Sequence, residues 1–259
     1  MLRIPSQRRE SKSSVALVRL IAVGAVVTAW EIAALSGLFY RDVIPSLWQV
    51  LPALGELLIS AELYWNSIVT ICEVTLGLVI GGAAGAAIGG LIGMNRRAGA
   101  AIEPMVYYLA PTPKIVFFPL LLVWFGLGVS SKIAMAAIAA FFPITLSVAA
   151  GARSIDRVLI HVGASFGASR SQMAVKIYLP AIRVAFLNAV RLGLGVAMVA
   201  TLLAETKLSK LGLGAMIMQG YTTFDMPRVY SLLFFTFVLA VGGDSLVRLI
   251  AGDRDPLPN

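Results

Sequence analysis

Charged side chains lodged in apolar runs hold most of the chemistry open to this 259-residue chain. Glu31, Glu73, Glu103, Lys114, Arg191, Glu205 and Asp244 all lie within long apolar stretches or near their ends. An ionised group in hydrocarbon is costly unless it meets a partner or water, so each of these either pairs internally or faces the path of a polar solute. Lys114 is the sharpest case. It stands among Pro111, Pro113 and Pro119, each of which lacks a backbone donor and frees a carbonyl. Counted from Pro104 as the start of a span, at 1.5 Å per residue, Lys114 lies about 15 Å deep, near the bilayer middle. Pairing with a buried acid such as Glu73, capture of freed carbonyls, and a place on the wall of a solute path are all open to it. Lys114, Pro111, Pro113 and Glu73 are therefore the candidate path residues. Arg191 and Glu205 are read as structural partners.

Other chemistries are not supported by the residues present. There is no Gly-x-x-x-x-Gly-Lys-[Ser/Thr] and no Gly-Lys pair, so a Walker-type nucleotide site is not expected and energy must come from elsewhere. One histidine, His161, and one cysteine, Cys72, cannot build a metal site, a catalytic triad or an intrachain disulfide. The chain is expected to perform no bond chemistry.

The elements that must position these residues are membrane helices. Hydrophobic residues make up 59% of the chain, charged ones 13%, and the mean hydropathy is +0.88, which excludes an ordinary soluble domain. The apolar runs are continuous and long, unlike the short alternating segments of a β-barrel. Six spans are expected: Val15 to Leu38, Ile68 to Met94, Met105 to Leu127, Lys132 to Ala150, Phe186 to Ala204 and Val229 to Leu249. The first follows a basic start and is too long for a signal-peptide core, so it is read as an uncleaved span. With the N-terminus inside, fourteen of the 21 basic residues fall on the cytoplasmic side; Arg41, Lys132, Lys207, Lys210 and Arg228 fall outside, and Lys114 and Arg191 within spans. That asymmetry predicts cytoplasmic termini. The net charge of +8 is then a topology signal and does not imply nucleic acid.

Residues 39–66 are expected to connect two spans on the outside, with the amphipathic stretch Leu47 to Ile59 along the interface and Trp48, Tyr64 and Trp65 at headgroup level. Gly81, Gly85, Gly89 and Gly93 recur every fourth residue and form a face that another helix can approach closely. Packing within the subunit is preferred over a subunit contact. No internal repeat or low-complexity linker is evident, so residues 1–259 read as one domain.

Between two apolar runs lies the polar segment Gly151 to Arg183. Ser154 is placed to cap a short helix with Asp156 in its first turn, and Gly167 to end it in a left-handed turn. Ser169 and Gln172 have the spacing of a capping box for a second helix through Met173, Val175 and Ile177, which Pro180 ends or kinks. Two helices of about ten residues are marginal alone in water and need a surface to pack on. The segment is read as a cytoplasmic docking device.

Its residues carry a family resemblance. His161, Val162, Gly163, Gly167, Ile177, Leu179 and Pro180 match the spacing of the "EAA" loop in membrane subunits of bacterial ABC importers. The text around Ser165, Phe166, Gly167, Ala168, Ser169 and Arg170, with Trp124 to Gly128 and Gly212 to Gly214, resembles the nitrate, sulfonate and taurine branch from about Ile44 to Leu249. His161 stands where the family has an acid, Gly163 where it has alanine, and Glu73 and Ala110 where arginine is common; Arg191 and Glu205 agree with it. The resemblance implies an all-α type I importer permease fold of six transmembrane helices in the bacterial inner membrane. It also implies a second permease subunit, two ATPase subunits carrying ATP and Mg and gripping the loop around Gly167, an extracytoplasmic solute-binding protein, and a small, mostly anionic solute. Two other readings use the same residues: an ion-coupled secondary transporter working through Glu73, Lys114 and Glu205, and a DNA-binding helix-turn-helix at 154–178.

Overall fold

The computed structural model describes residues 12–38 and 43–251, and no side chain of 12–16, Arg170, Ile250 or Ala251. Arg3, Arg8, Arg9, Arg41 and Arg254, used in the orientation count, lie outside the described residues. Those described form helices joined by short turns: α1 (Lys12–Leu35), α2 (Leu47–Leu58), α3 (Ala61–Met94), α4 (Arg96–Leu109), a 3-10 turn (Lys114–Phe117), α5 (Phe118–Phe125) and α6 (Val129–Arg153). Then come α7 (Arg157–Ser165), α8 (Arg170–Met173), a π-helical turn (Ala174–Tyr178), α9 (Leu179–Glu205), α10 (Leu213–Thr222) and α11 (Met226–Ala251). Among the described residues five helices are long and apolar enough to cross a membrane, or six if α4 and the α5 segment count as one broken span.

At the centre α3, α6 and α9 pack against one another, and the glycine stripe explains how closely. A methyl group on Gly85 would come 2.8 Å from the Phe141 carbonyl oxygen, and one on Gly93 would come 2.9 Å from that of Ala149. Gly77, Gly81 and Gly89 meet the same α6 face through Ala136, Ala137 and Thr145. The stripe is internal packing, as preferred. Val74, Ala136, Ala140, Ile144, Val148, Ala189 and Ala197 fill the core it creates.

Several boundaries differ from expectation. Helix α3 begins at Ala61, capped by the Ser60 side chain, so Tyr64 and Trp65 sit within it rather than in a connection. The third span is not one helix. It breaks after Leu109 and turns through 91° between α4 and the α5 segment, so the straight-rise depth of Lys114 does not hold. Pro104 lies inside α4, while Pro119 occupies the first turn of α5, where its missing donor costs nothing. Along α2, Val50 and Leu57 are buried and Ser231 of α11 donates to the Val50 carbonyl at 3.0 Å, while Trp48 and Leu51 are exposed. Helix α1 is exposed along Leu17–Leu35 and is held near its end. There the Trp30 indole donates to the Pro45 carbonyl at 3.1 Å, and Glu31 accepts the Leu47 N–H of α2 at 3.1 Å. Glu31 thus serves the helix start that follows it.

Candidate functional sites

A buried polar node ties the first turns of α3 to the turns before α6 and α10. Asn66, Thr70 and Glu73 fall on one face of α3 and are all buried. Asn66 Oδ1 accepts the Gly212 N–H at 2.7 Å, and Thr70 Oγ1 accepts the Leu213 N–H at 2.9 Å while donating to Glu205 Oε1 at 2.7 Å. The other oxygen of Glu205 accepts the Gly214 N–H at 2.6 Å. These bonds satisfy donors that the start of α10 leaves without helical partners, an arrangement that suits an acidic acceptor. Only glycine fits at the turn: Gly212 has φ +103° and a side chain there would run into the Glu205 carboxylate. Glu73 is buried beside Glu205, and its Oε2 has no partner among the described residues. Lys132 supplies the nearby positive charge; its ammonium donates to the carbonyls of Leu127 at 2.8 Å and Gly128 at 3.0 Å.

Two expectations are corrected here. Glu73 keeps company with Glu205 and Lys132, not Lys114. Lys132, counted as an outside loop charge, is 3% exposed in the first turn of α6. The expected structural role of Glu205 holds, as does that of Arg191, which donates to Asp244 at 3.1 Å while Arg248 donates to the same carboxylate at 2.8 Å. The sequence reading missed Asn66, Thr70 and Lys132. Their signal was available in the i, i+4, i+7 polar spacing on α3 and in a lysine just beyond the Trp124 to Gly128 turn.

Lys114 opens the 3-10 turn at the break. Its ammonium donates to the Ala110 carbonyl, left open where α4 ends, and lies 5.0 Å from the Phe142 ring centre, so a backbone carbonyl and not a buried acid is its partner. Pro111 and Pro113 are exposed beside it, as are Tyr107, Tyr108, Val123 and Trp124 on the flanking helices.

In the polar segment Gly151 to Arg183, α7 is capped by Asp156, whose carboxylate accepts the Val158 N–H at 2.8 Å, and not by Ser154, whose hydroxyl instead donates to the Gly151 carbonyl and finishes α6. Gly167 has φ +68° and closes a Schellman turn, Ala168 N–H to the Gly163 carbonyl at 3.1 Å and Gly167 N–H to that of Ala164 at 2.9 Å. Ser169 N–H donates to Gln172 Oε1 at 2.9 Å and Gln172 N–H to Ser169 Oγ at 3.3 Å, completing the expected capping box. Gly163 is buried where a side chain would meet Ile177 Cδ1 at 2.5 Å and Met173 Sδ at 2.6 Å, so α7 rests on the following segment. Pro180 does not end that segment. The chain stays helical from Arg170 to Glu205 by widening to a π turn just before Pro180, where the proline ring would strike the carbonyl four residues back in an α-helix. Val158, Leu159, Val162 and Phe166 leave an apolar stripe uncovered, Phe166 at 86% exposure. His161, Ser165 and Ser169 are exposed around it, Ala168 is partly buried, and Leu179 is exposed beyond the π turn.

Residues 77–254 match the family described as binding-protein-dependent transport system inner membrane component. The chain is 29% identical over 231 residues to an aliphatic sulfonates transport permease protein, SsuC, of Bacillus subtilis (strain 168), covering 89% of this chain and 84% of the relative. It is 27% identical over 235 residues to the taurine transport system permease protein TauC of Escherichia coli (strain K12), covering 87% and 86%. In structure it resembles the MetNI methionine ABC transporter in an inward-facing conformation, with a TM-score of 0.58 and 21% identity over 79% of this chain and 97% of that one.

Proposed function

This chain belongs to the family of inner membrane components of binding-protein-dependent transport systems; on that premise we propose that it is the permease subunit of an ATP-driven importer for a small anionic solute of the sulfonate or taurine kind. The observation that carries the coupling role is the uncovered stripe on α7, held rigidly by an Asp156 cap at one end and a Schellman turn at the other. A short helix that shows four apolar side chains while resting on Gly163 is built to be covered by another protein. Two ATPase subunits, bringing ATP and Mg, cover it in this reading. His161, Ser165, Phe166, Ala168, Ser169 and Arg170 surround the contact, and Gly163, Gly167, Ile177, Leu179 and Pro180 shape it. A second copy of the chain covers the exposed wall around Tyr107, Tyr108 and Trp124. Lys114, with Pro111 and Pro113 at the break between α4 and α5, lines the path between the copies and meets the anion. The chain lies as one domain in the bacterial inner membrane with both termini cytoplasmic, and a solute-binding protein delivers cargo at the end around Glu205.

The experiment is reconstitution in proteoliposomes with ATPase subunits inside and solute-binding protein outside. Uptake of labelled taurine or an alkanesulfonate that needs ATP in the lumen is the expected result. Uptake driven by an ion gradient with no ATPase present would reverse the reading in favour of an ion-coupled carrier.

A further inference from the structure

Two bulky residues hold backbone conformations that side chains avoid. Leu208, in the turn after α9, has φ +60°, and Phe224, after α10, has φ +58°. Phe224 occupies the left-handed position of a Schellman turn closed by Asp225 N–H to the Gly220 carbonyl at 2.9 Å, the place that glycine fills at Gly167. Neither side chain is rewarded by burial for the strain, since Leu208 is 73% exposed and Phe224 51%. Strain of this kind at an exposed apolar residue points to a task outside the fold.

The surroundings say what kind of task. Both turns lie at the end of the bundle where α3 begins, the end opposite α7. Next to Phe224 a cavity of about 260 Å³ is lined by Glu56, Glu62, Asp225 and Arg228; next to Leu208 a second of similar size is lined by Glu62, Asn66, Ser209 and Lys210. The first holds three carboxylates against the one guanidinium of Arg228, which pairs with Glu62 at 3.1 Å and whose Nε is buried without a partner among the described residues, so Glu56 and Asp225 are in excess. Charged cavities of this kind suit a protein surface and not hydrocarbon.

We propose that Leu208 and Phe224 are the apolar anchors by which the solute-binding protein docks on this chain, and that the cavity at Glu56, Glu62 and Asp225 receives a basic side chain of that protein. This rests on the importer reading above, in which that end faces outward. Anchors flanking polar recesses give affinity through the apolar contacts and register through the charges.

A photo-crosslinking amino acid placed at 208, 224 or 166 of the full chain, in cells making the whole transport system, tests both readings at once. Adducts from 208 and 224 should contain the solute-binding protein, identified by mass spectrometry, and adducts from 166 the ATPase subunit. An ATPase adduct from 166 together with only lipid, only a second copy of this chain, or nothing captured from 208 and 224 overturns the docking surface and leaves the importer reading standing. No ATPase adduct from 166 sinks the importer reading itself. As a second measurement, the double variant Leu208→Gly and Phe224→Gly relieves the strained backbone. It should leave the melting temperature of the purified complex unchanged or raised while weakening solute-binding-protein affinity at least tenfold. Unchanged affinity overturns the proposal.

Discussion

Gly81 on α3 and Gly163 on α7 are both buried glycines inside helices, yet they face different neighbours. A methyl group on Gly81 would strike the backbone of Ala137, which cannot move without shifting all of α6. One on Gly163 would meet the tips of Ile177 and Met173, which can turn aside. The contrast extends to the regions around them. In the bundle the donors at the start of α10 meet Asn66, Thr70 and Glu205; in the docking segment the local turns are satisfied but the apolar stripe of α7 meets nothing. The start of α10 finds its partners within the chain. The docking segment is rigid but unfinished, which is the condition for transmitting a partner's movement.

The bundle should therefore break first. Gly81→Ala is expected to lose roughly 3 kcal/mol of stability, the upper range for overpacking where backbone must yield. Glu205→Ala should cost a similar amount, about 1–3 kcal/mol for each buried donor it strands at Gly214 and Thr70. Size-exclusion profiles and thermal unfolding in detergent measure both. A monodisperse, wild-type-stable Gly81→Ala protein would mean that α3 and α6 are not in backbone contact.

Gly167→Val attacks the second region alone. A β-branched residue at φ +68° strains the turn by about 1–2 kcal/mol, too little to unfold the bundle but enough to displace α7. The protein should stay in the membrane at normal yield while recovery of the ATPase in a detergent pull-down falls several-fold. Undiminished recovery would refute the assignment of α7 as the docking helix.

What the sequence made legible divides along the same line. Gly167, the Ser169 to Gln172 box and the glycine stripe depend on spacing within one turn or one helix face, and all stand as expected. Asp156 displaced Ser154 as the cap because two suitable residues lie two apart and the earlier one finishes α6. The prolines marked a break in the third span, but its 91° turn depends on what packs around it. Glu73 was matched to Lys114 by sign alone. In space it meets Glu205, whose contact with Thr70 joins residues 135 apart, and no local pattern carries that distance.

Lys114 tests whether the break belongs to the path or only to the fold. Its ammonium meets only the Ala110 carbonyl and the Phe142 ring among the described residues, so Lys114→Met should preserve expression and assembly. Uptake should fall at least tenfold while the assembled complex still hydrolyses ATP. Loss of expression would instead make Lys114 a structural clasp for the end of α4, and wild-type uptake would remove it from the path altogether.

The smallest effect is expected at Gly163→Ala. Alanine gains about 0.5–1 kcal/mol of helix propensity over glycine, and the added methyl asks only Ile177 and Met173 to change rotamer, at a comparable cost. Stability, ATPase recovery and uptake should each stay within about a factor of two of wild type. Gly163→Val adds two further carbons to the same contact and should lift α7 off its seat, lowering ATPase recovery without unfolding the bundle. If Gly163→Ala proved as damaging as Gly81→Ala, the docking segment would be as tightly built as the core, and the distinction between backbone packed on backbone and a helix seated on side-chain tips would fail.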